Sequence, residues 1–278
     1  MKTMNKLATA VVLVLAASAS PALAGKGGSA SLISQAINSG STDAIIAEVE
    51  KTEALMCTEC VQLVTNLTED ARYDVREVAG WWFAKRPALA EMLVQQFEGE
   101  LANGNSIAVR NGADFLGATR TLTALPNLRA AIDRGGLTPE ARLAIVRAAG
   151  VLAHTDGNYV LTRGMADSDA AVRMTAVKAW RDVLKQTDAR PVVALLGDPD
   201  STVRQAAATV VGGMHQQSGR AALETLVVSD ADAFVRRNAA WALGQLGQGA
   251  SRAALTKATG DKSGLVQMTA KVALGQLR

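Results

Sequence analysis

From about Leu55 onward, apolar and polar residues recur in blocks. "DSDAAVRMTAVKAW", "DPDSTVRQAAATVVG", "DADAFVRRNAAWALG" and "DKSGLVQMTAKVALG" share an Asp-bearing turn, a Val, an Arg or Gln, and then apolar residues three and seven places on. That spacing lines one face of a helix, so each block predicts a turn followed by an amphipathic helix. Aligned on the residue after the Val, the anchors are Arg173, Arg204, Arg236 and Gln267, and the register runs back to Arg142, Arg110 and Arg76. A period of 31 to 34 residues held over seven units predicts a stacked array.

The columns of this alignment carry the physics. The position before the anchor is apolar throughout, from Val75 and Val109 to Val235 and Val266. Six places before it stand Asp70, Asp167, Asp198, Asp230 and Asp261, with Gly104 and Gly136 as departures. The pairs Asp70/Arg76, Asp167/Arg173, Asp198/Arg204 and Asp230/Arg236, with Asp261, read as a structural ladder in which each Arg bonds turn carbonyls or a neighbouring Asp. Gly150, Gly212, Gly244 and Gly275, eight places after the anchor, mark a helix end or a close approach between helices. Shorter apolar segments such as "RPVVALLGD" lie between the blocks, with Pro139 and Pro191 suited to first turns and Thr138 to a cap. Each unit is thus expected to be two antiparallel helices, too apolar to stand alone and suited to cover on both sides.

This pattern resembles the HEAT repeat, and its short period and Asp-to-Val-Arg turn look most like the HEAT-like repeats of the phycocyanobilin lyase group. The resemblance implies an all-α, right-handed α-solenoid of about seven helical hairpins, with the second helix of each pair lining a concave face. It implies no reaction, because the repeat is a scaffold reused for many purposes. The deoxyhypusine hydroxylases share the repeat, but their di-iron site needs several His-Glu pairs. His154 and His215 are the sole histidines here, and neither precedes a Glu. No Ser-His-Asp, phosphate-loop or paired-carboxylate arrangement stands out, so no catalysis and no cofactor is expected.

The N-terminus changes the picture of where the chain works. Lys2 and Lys6, an apolar run over 7–17 and then Ala22-Leu23-Ala24 follow the order of a secretory signal peptide, with cleavage expected after Ala24. The mature chain is therefore expected to be exported, most simply to a periplasm, with an extracellular location as the alternative, and to begin with a flexible segment over 25–40. A repeat array follows over 41–278, opened by a capping helix in "STDAIIAEVEKTEAL". Export also removes two of 29 basic residues, leaving 27 against 26 acidic ones, so there is no electrostatic case for nucleic acid. No later segment is apolar enough to insert in a membrane. The chain stops at "VALGQLR", directly after its last helix, which leaves self-association open.

Function in a repeat protein is expected where units differ. Five places after the anchor stand Trp81, Phe115, Arg147, Lys178, Thr209, Trp241 and Val272. Trp81, Phe115, Arg147, Lys178 and Trp241 have the composition of a protein-binding surface, with gap-filling between helices as the structural alternative for the two Trp.

Cys57 and Cys60 are the other distinctive feature, at the expected entrance of a helix. Covalent haem is excluded, because Val61 follows Cys60 where that motif needs His. A closed zinc site needs four ligands. A disulfide is the expected state, since residues three apart at a helix start lie within bridging distance. Thiol exchange and copper binding beside Met56 stay open, as a helix N-terminus favours a thiolate. The sequence thus points to an exported, non-catalytic scaffold that binds a partner protein on its concave face. The alternative is an envelope thiol-redox or metal-handling accessory built on Cys57 and Cys60.

Overall fold

Each Asp-to-Arg block folds as a turn and a helix, and the apolar segment before it folds as the partner helix. The computed structural model describes residues 28–278, so the expected signal peptide, 1–24, lies outside the described residues. These form two compact units, divided between Lys85 and Arg86. The first contains α1 (Ala30–Ser39), α2 (Thr42–Glu50), α3 (Thr58–Leu67) and α4 (Tyr73–Ala84). The second contains α5 (Pro87–Asn103), α6 (Ser106–Ala118), α7 (Leu125–Ile132), α8 (Pro139–Leu152), α9 (Asn158–Met165) and α10 (Ala170–Trp180). It continues with α11 (Arg190–Val193), α12 (Ser201–Gly213), α13 (Arg220–Ser229), α14 (Ala233–Leu246), α15 (Arg252–Ala258) and α16 (Gly264–Gln276). No strand occurs among the described residues.

Successive helices pair as hairpins, and hairpins stack in order. In the second unit the second helices α6, α8, α10, α12, α14 and α16 pack each on the next and form one layer. Against them lie the first helices, with α5 on α7, α7 on α9 and α13 on α15. In the first unit α2 packs on α4 and α1 on α3. The seven repeats read from the anchors correspond to α3/α4 through α15/α16, and α2 is the helix expected ahead of them.

Two expectations are corrected here. The segment 25–40, expected to be flexible, holds α1 over most of its described length. Ser29 caps that helix, Ile33 is fully buried, and Gly40 ends it in the left-handed region. The helix lacks the Asp-to-Val-Arg signature, which is why the repeat pattern passes over it. The single array expected over 41–278 is also two compact units, and their boundary precedes the first gap in the Asp column, Gly104.

The turns are built by two acidic residues with different tasks. Asp169, Asp200 and Asp232 are the N-caps, each accepting backbone N–H bonds from the first turn of the helix it precedes. Asp167, Asp198 and Asp230, two places earlier, accept the backbone N–H of those caps and also face the preceding repeat. There the guanidinium of Arg142 grips Asp167, Arg173 grips Asp198, Arg204 grips Asp230 and Arg236 grips Asp261, with Nε–Oδ2 distances of 2.6, 2.8, 2.7 and 2.7 Å. In every pair Nη2 bonds the second carboxylate oxygen, making the contact bidentate.

The remaining arm, Nη1, turns back into its own repeat. Arg173 donates to the carbonyls of Asp167 and Ser168, Arg204 to Asp198 and Pro199, and Arg236 to Asp230 and Ala231. One guanidinium therefore ties its own turn to the next repeat's carboxylate. Gln267, the neutral anchor of the last repeat, keeps the inner half of this arrangement by donating to the carbonyl of Asp261 at 2.6 Å. In the first unit Arg76 bonds the carbonyls of Asp70 and Ala71, while Asp70 is paired bidentately by Arg72 from its own turn.

The ladder is shielded enough to matter, since side-chain exposure is only 4% at Arg236 and 12% at Arg173. Burial works against the charge on Asp167 and Asp198, yet the Arg bonds and the cap N–H groups outweigh it and hold both carboxyls below their ordinary range. At Asp261 the Arg236 bond is the larger influence, in the same direction.

Close packing of the second-helix layer rests on small residues. A Cβ placed on Gly150 would meet Ala179 at 2.7 Å, one on Gly212 would meet Ala242 at 2.7 Å, and one on Gly244 would meet Ala273 at 2.9 Å. At Gly150, Gly212 and Gly244 the column thus marks close approach between successive helices, each of these Gly receiving the next helix's Ala.

Asp198→Ala should cost roughly 2–4 kcal/mol in urea unfolding, because it leaves the Arg173 guanidinium without its carboxylate. Gln267→Ala, which removes one neutral hydrogen bond, should cost about 1 kcal/mol. Asp167, Asp198 and Asp261 titrate lower folded than unfolded, so their stabilisation is complete above the ordinary carboxylate value of 3.8 and falls away as pH drops below it. The urea midpoint should hold between neutrality and weak acid and then drop steeply below that value, with a smaller drop in Asp198→Ala. Ala153 ends α8 at φ +51°. Ala153→Gly should raise the urea-derived stability by about 0.5–1 kcal/mol by relieving that conformation.

Candidate protein-binding surface

Residues spent on the ladder and the Gly–Ala contacts are held by the repeat itself. The position expected to face outward is the one five places after each anchor, one helical turn beyond the position next to the anchor. In the second unit that position holds Phe115, Arg147, Lys178, Thr209, Trp241 and Val272 on α6 to α16 in turn.

These residues do not form the single surface expected of them. Phe115 is 1% exposed and packs on Phe97, with ring centroids 4.8 Å apart. It belongs to the core between α5 and α6 and presents nothing to a partner. Arg147 is held by Asp114, whose side chain is fully buried, at 2.9 Å. That ion pair joins α8 to α6, so the first task of Arg147 is structural. Trp81 lies in the first unit, partly exposed, with Lys85 Nζ 5.4 Å from its ring centroid.

Lys178 and Trp241 remain at the surface. Lys178 is exposed on α10. Trp241 is 37% exposed, and its ring edge comes within 3.0 Å of where a Cβ on Gly212 would lie. Its indole therefore covers the small residues at the end of α12 on one side and meets solvent on the other, which joins the gap-filling and the surface readings in one side chain. Trp180 is 5% exposed, and its Nε1 donates to the carbonyl of Asp188 at 2.8 Å.

The structure adds residues that the alignment passed over. Phe234 is 56% exposed and Leu265 and Met268 are 56% and 67% exposed, beside Val272 of the varying position at 64%. Phe234 and Leu265 stand two places before their anchors and Met268 one place after. The signal available in the sequence was their spacing, since 265, 268 and 272 share a helix face apart from the buried Val266, Ala270 and Ala273.

Cys57 and Cys60 are joined as a disulfide, with Cα atoms 5.2 Å apart. Cys57 is the N-cap of α3, its Sγ accepting from the backbone N–H of Cys60 at 3.2 Å, and Cys60 is fully buried. Cys57 is partly exposed, and no group of three or more metal-ligating side chains exists among the described residues. The redox and metal-handling readings of this pair find no support. His154 bonds the N–H of Asp156, and His215 Nδ1 lies 2.8 Å from the carbonyl of Gln245, so each histidine serves a helix end. No helix among the described residues is long and apolar enough to cross a membrane.

Comparison with known proteins places this geometry. A family model described as HEAT repeats matches residues 189–275. A comparison with curated proteins finds no match. Among solved structures, the Escherichia coli protein YibA aligns over 87% of this chain and 91% of its own, at 14% identity and a TM-score of 0.56. Kap95p, described as binding RanGDP, aligns over 88% of this chain at 13% identity and a TM-score of 0.52, and the alignment spans 40% of its length. The CpcE and CpcF complex of phycocyanin lyase from Nostoc sp. PCC7120 aligns over 94% of this chain at 15% identity, but its TM-score of 0.40 carries no argument. At such identities the likeness shows the fold alone. Residues 189–275 are similar to HEAT repeats, and the described chain has an all-α repeat fold.

Proposed function

We propose that the chain is an exported, non-catalytic scaffold that holds a partner protein on the second-helix layer of its second unit, in the assembly of an envelope complex. The observation that carries the reading is the contrast between columns. Residues repeated from unit to unit are consumed internally by the ladder, the caps and the close helix contacts. At the varying position Lys178 and Trp241 meet solvent. Trp and cationic residues are the side chains that dominate protein interfaces.

The non-catalytic reading is supported by the use made of the titratable groups. Asp167, Asp198, Asp230 and Asp261 are each paired with an Arg, and both histidines serve helix ends. Kap95p, of similar fold, is described as binding another protein, and protein binding in general is all that is carried over from it. Export rests on the order of basic, apolar and small residues over 1–24 and is in keeping with the Cys57–Cys60 disulfide.

A photo-crosslinking residue placed at Lys178 should capture the partner in the native envelope, whereas one at Thr162, exposed on the first helix α9, should not. Lys178→Glu should lower capture by about tenfold with an unchanged melting temperature. Equal yields from the two positions would contradict the assignment of this layer. N-terminal sequencing of the exported protein should begin at Gly25, and an exported chain retaining Met1 would contradict the signal-peptide reading.

A further inference from the structure

Two neighbouring helices of the layer carry most of its exposed apolar surface. On α14, Phe234, Arg237 and Trp241 are spaced three and four apart and share one face, and on α16 Leu265, Met268 and Val272 take the same positions. The helices touch directly, Gly244 lying against Ala273, so the two stripes run side by side. The equivalent positions on α12 are Thr202, Gln205 and Thr209, so the patch belongs to the last two repeats. Contiguous exposed apolar surface of this kind marks an interaction site.

Its charge has one sign. Neither α14 nor α16 contains an Asp or Glu. Arg236 is taken up by Asp261, which leaves Arg237, within the α14 stripe, and Lys271, on α16, exposed. The acids at the entrances to these helices are already engaged, Asp261 by Arg236 and Asp232 by the first-turn N–H groups of α14.

The shape of α16 indicates what sits there. On α12 and α14 the glycine eight places after the anchor receives the next helix at its Ala. At Gly275, the same position on α16, nothing lies within 4 Å of where a Cβ would be. Gly275 lies at helical spacing from Met268 and Val272 and is open beside them among the described residues.

We propose that the face formed by α14 and α16 binds an acidic amphipathic helix of the partner protein. Its apolar stripe would lie along Trp241, Met268 and Val272, with a small residue over Gly275 and Asp or Glu toward Arg237 and Lys271. This inference rests on the scaffold reading above and adds the chemistry and the seat of the partner. A patch spread along two parallel stripes favours a helix over a lipid surface.

The test uses the full mature chain and two labelled synthetic peptides of about 20 residues, both with Leu and Ala on one helical face. One carries Glu on its flanks and the other Lys. By fluorescence anisotropy the Glu peptide should bind at least about tenfold tighter than the Lys peptide, and the difference should shrink in about 0.5 M salt. Met268→Glu should weaken the Glu peptide by about tenfold with unchanged helical circular dichroism, and Arg237→Glu with Lys271→Glu should reverse the preference. Equal binding of both peptides, or binding of neither, would overturn the proposal. So would sedimentation with anionic phosphatidylglycerol vesicles in preference to the peptide, or a dimer of the chain that Met268→Glu dissolves. If the photo-crosslink at position 178 still captures a partner while the Glu peptide fails, the acidic-helix proposal falls and the scaffold reading stands.

Discussion

The second unit depends on one repeated interaction, the bidentate grip of an anchor Arg on the first Asp of the next repeat's turn. Each guanidinium also donates to carbonyls of its own turn, so a single side chain closes a turn and fixes the distance to the following repeat. The carboxylate it meets accepts the N–H of the capping Asp at the same time. Cap, turn and inter-repeat contact are therefore coupled at each step from Arg142 to Asp261. A shielded arrangement of this kind is a specification device, because a misplaced repeat would leave a buried guanidinium or carboxylate unpaired.

With spacing fixed by charge, the layer of second helices has room for little more than Ala and Gly where successive helices cross. That explains a composition rich in small residues and low in aromatics, the latter 4% of the chain. It also separates structure from recognition. The repeats diverge at the varying position, where Lys178 meets solvent and Trp241 covers the crossing point at Gly212 with part of its ring exposed. Arg147 and Phe115 show the limit of that separation, since one is bound to the buried Asp114 and the other fills the gap beside Phe97.

The periodic part of the fold was legible in the sequence because the ladder leaves a mark in every unit it serves. The Val-Arg pair, the Asp six places ahead and the Gly eight places on gave the anchors, the turns and the crossing points. The first hairpin was half legible, since α2 carries a recognisable cap and apolar face whereas α1 shares no ladder residue and is held by the burial of Ile33. The division after Lys85 left no mark beyond the Gly104 departure. The surface was less legible, because a helix position fixes direction and not exposure. Phe115 and Trp241 share a column, yet one is buried and the other is open. Phe234, Leu265 and Met268 were hidden by the expectation that apolar residues on a repeat helix are core, and the apolar character of α16 was visible only once its neighbours were in place.

Hydrogen exchange of the protein, alone and with the partner proposed for it, measures the separation of structure from recognition most directly. The account predicts that the free protein is slowest to exchange at the turns closed by Arg173, Arg204 and Arg236. Protection gained on binding should fall on α10, α14 and α16. Protection gained instead on the first helices α9, α13 and α15, with the second-helix layer unchanged, would contradict it.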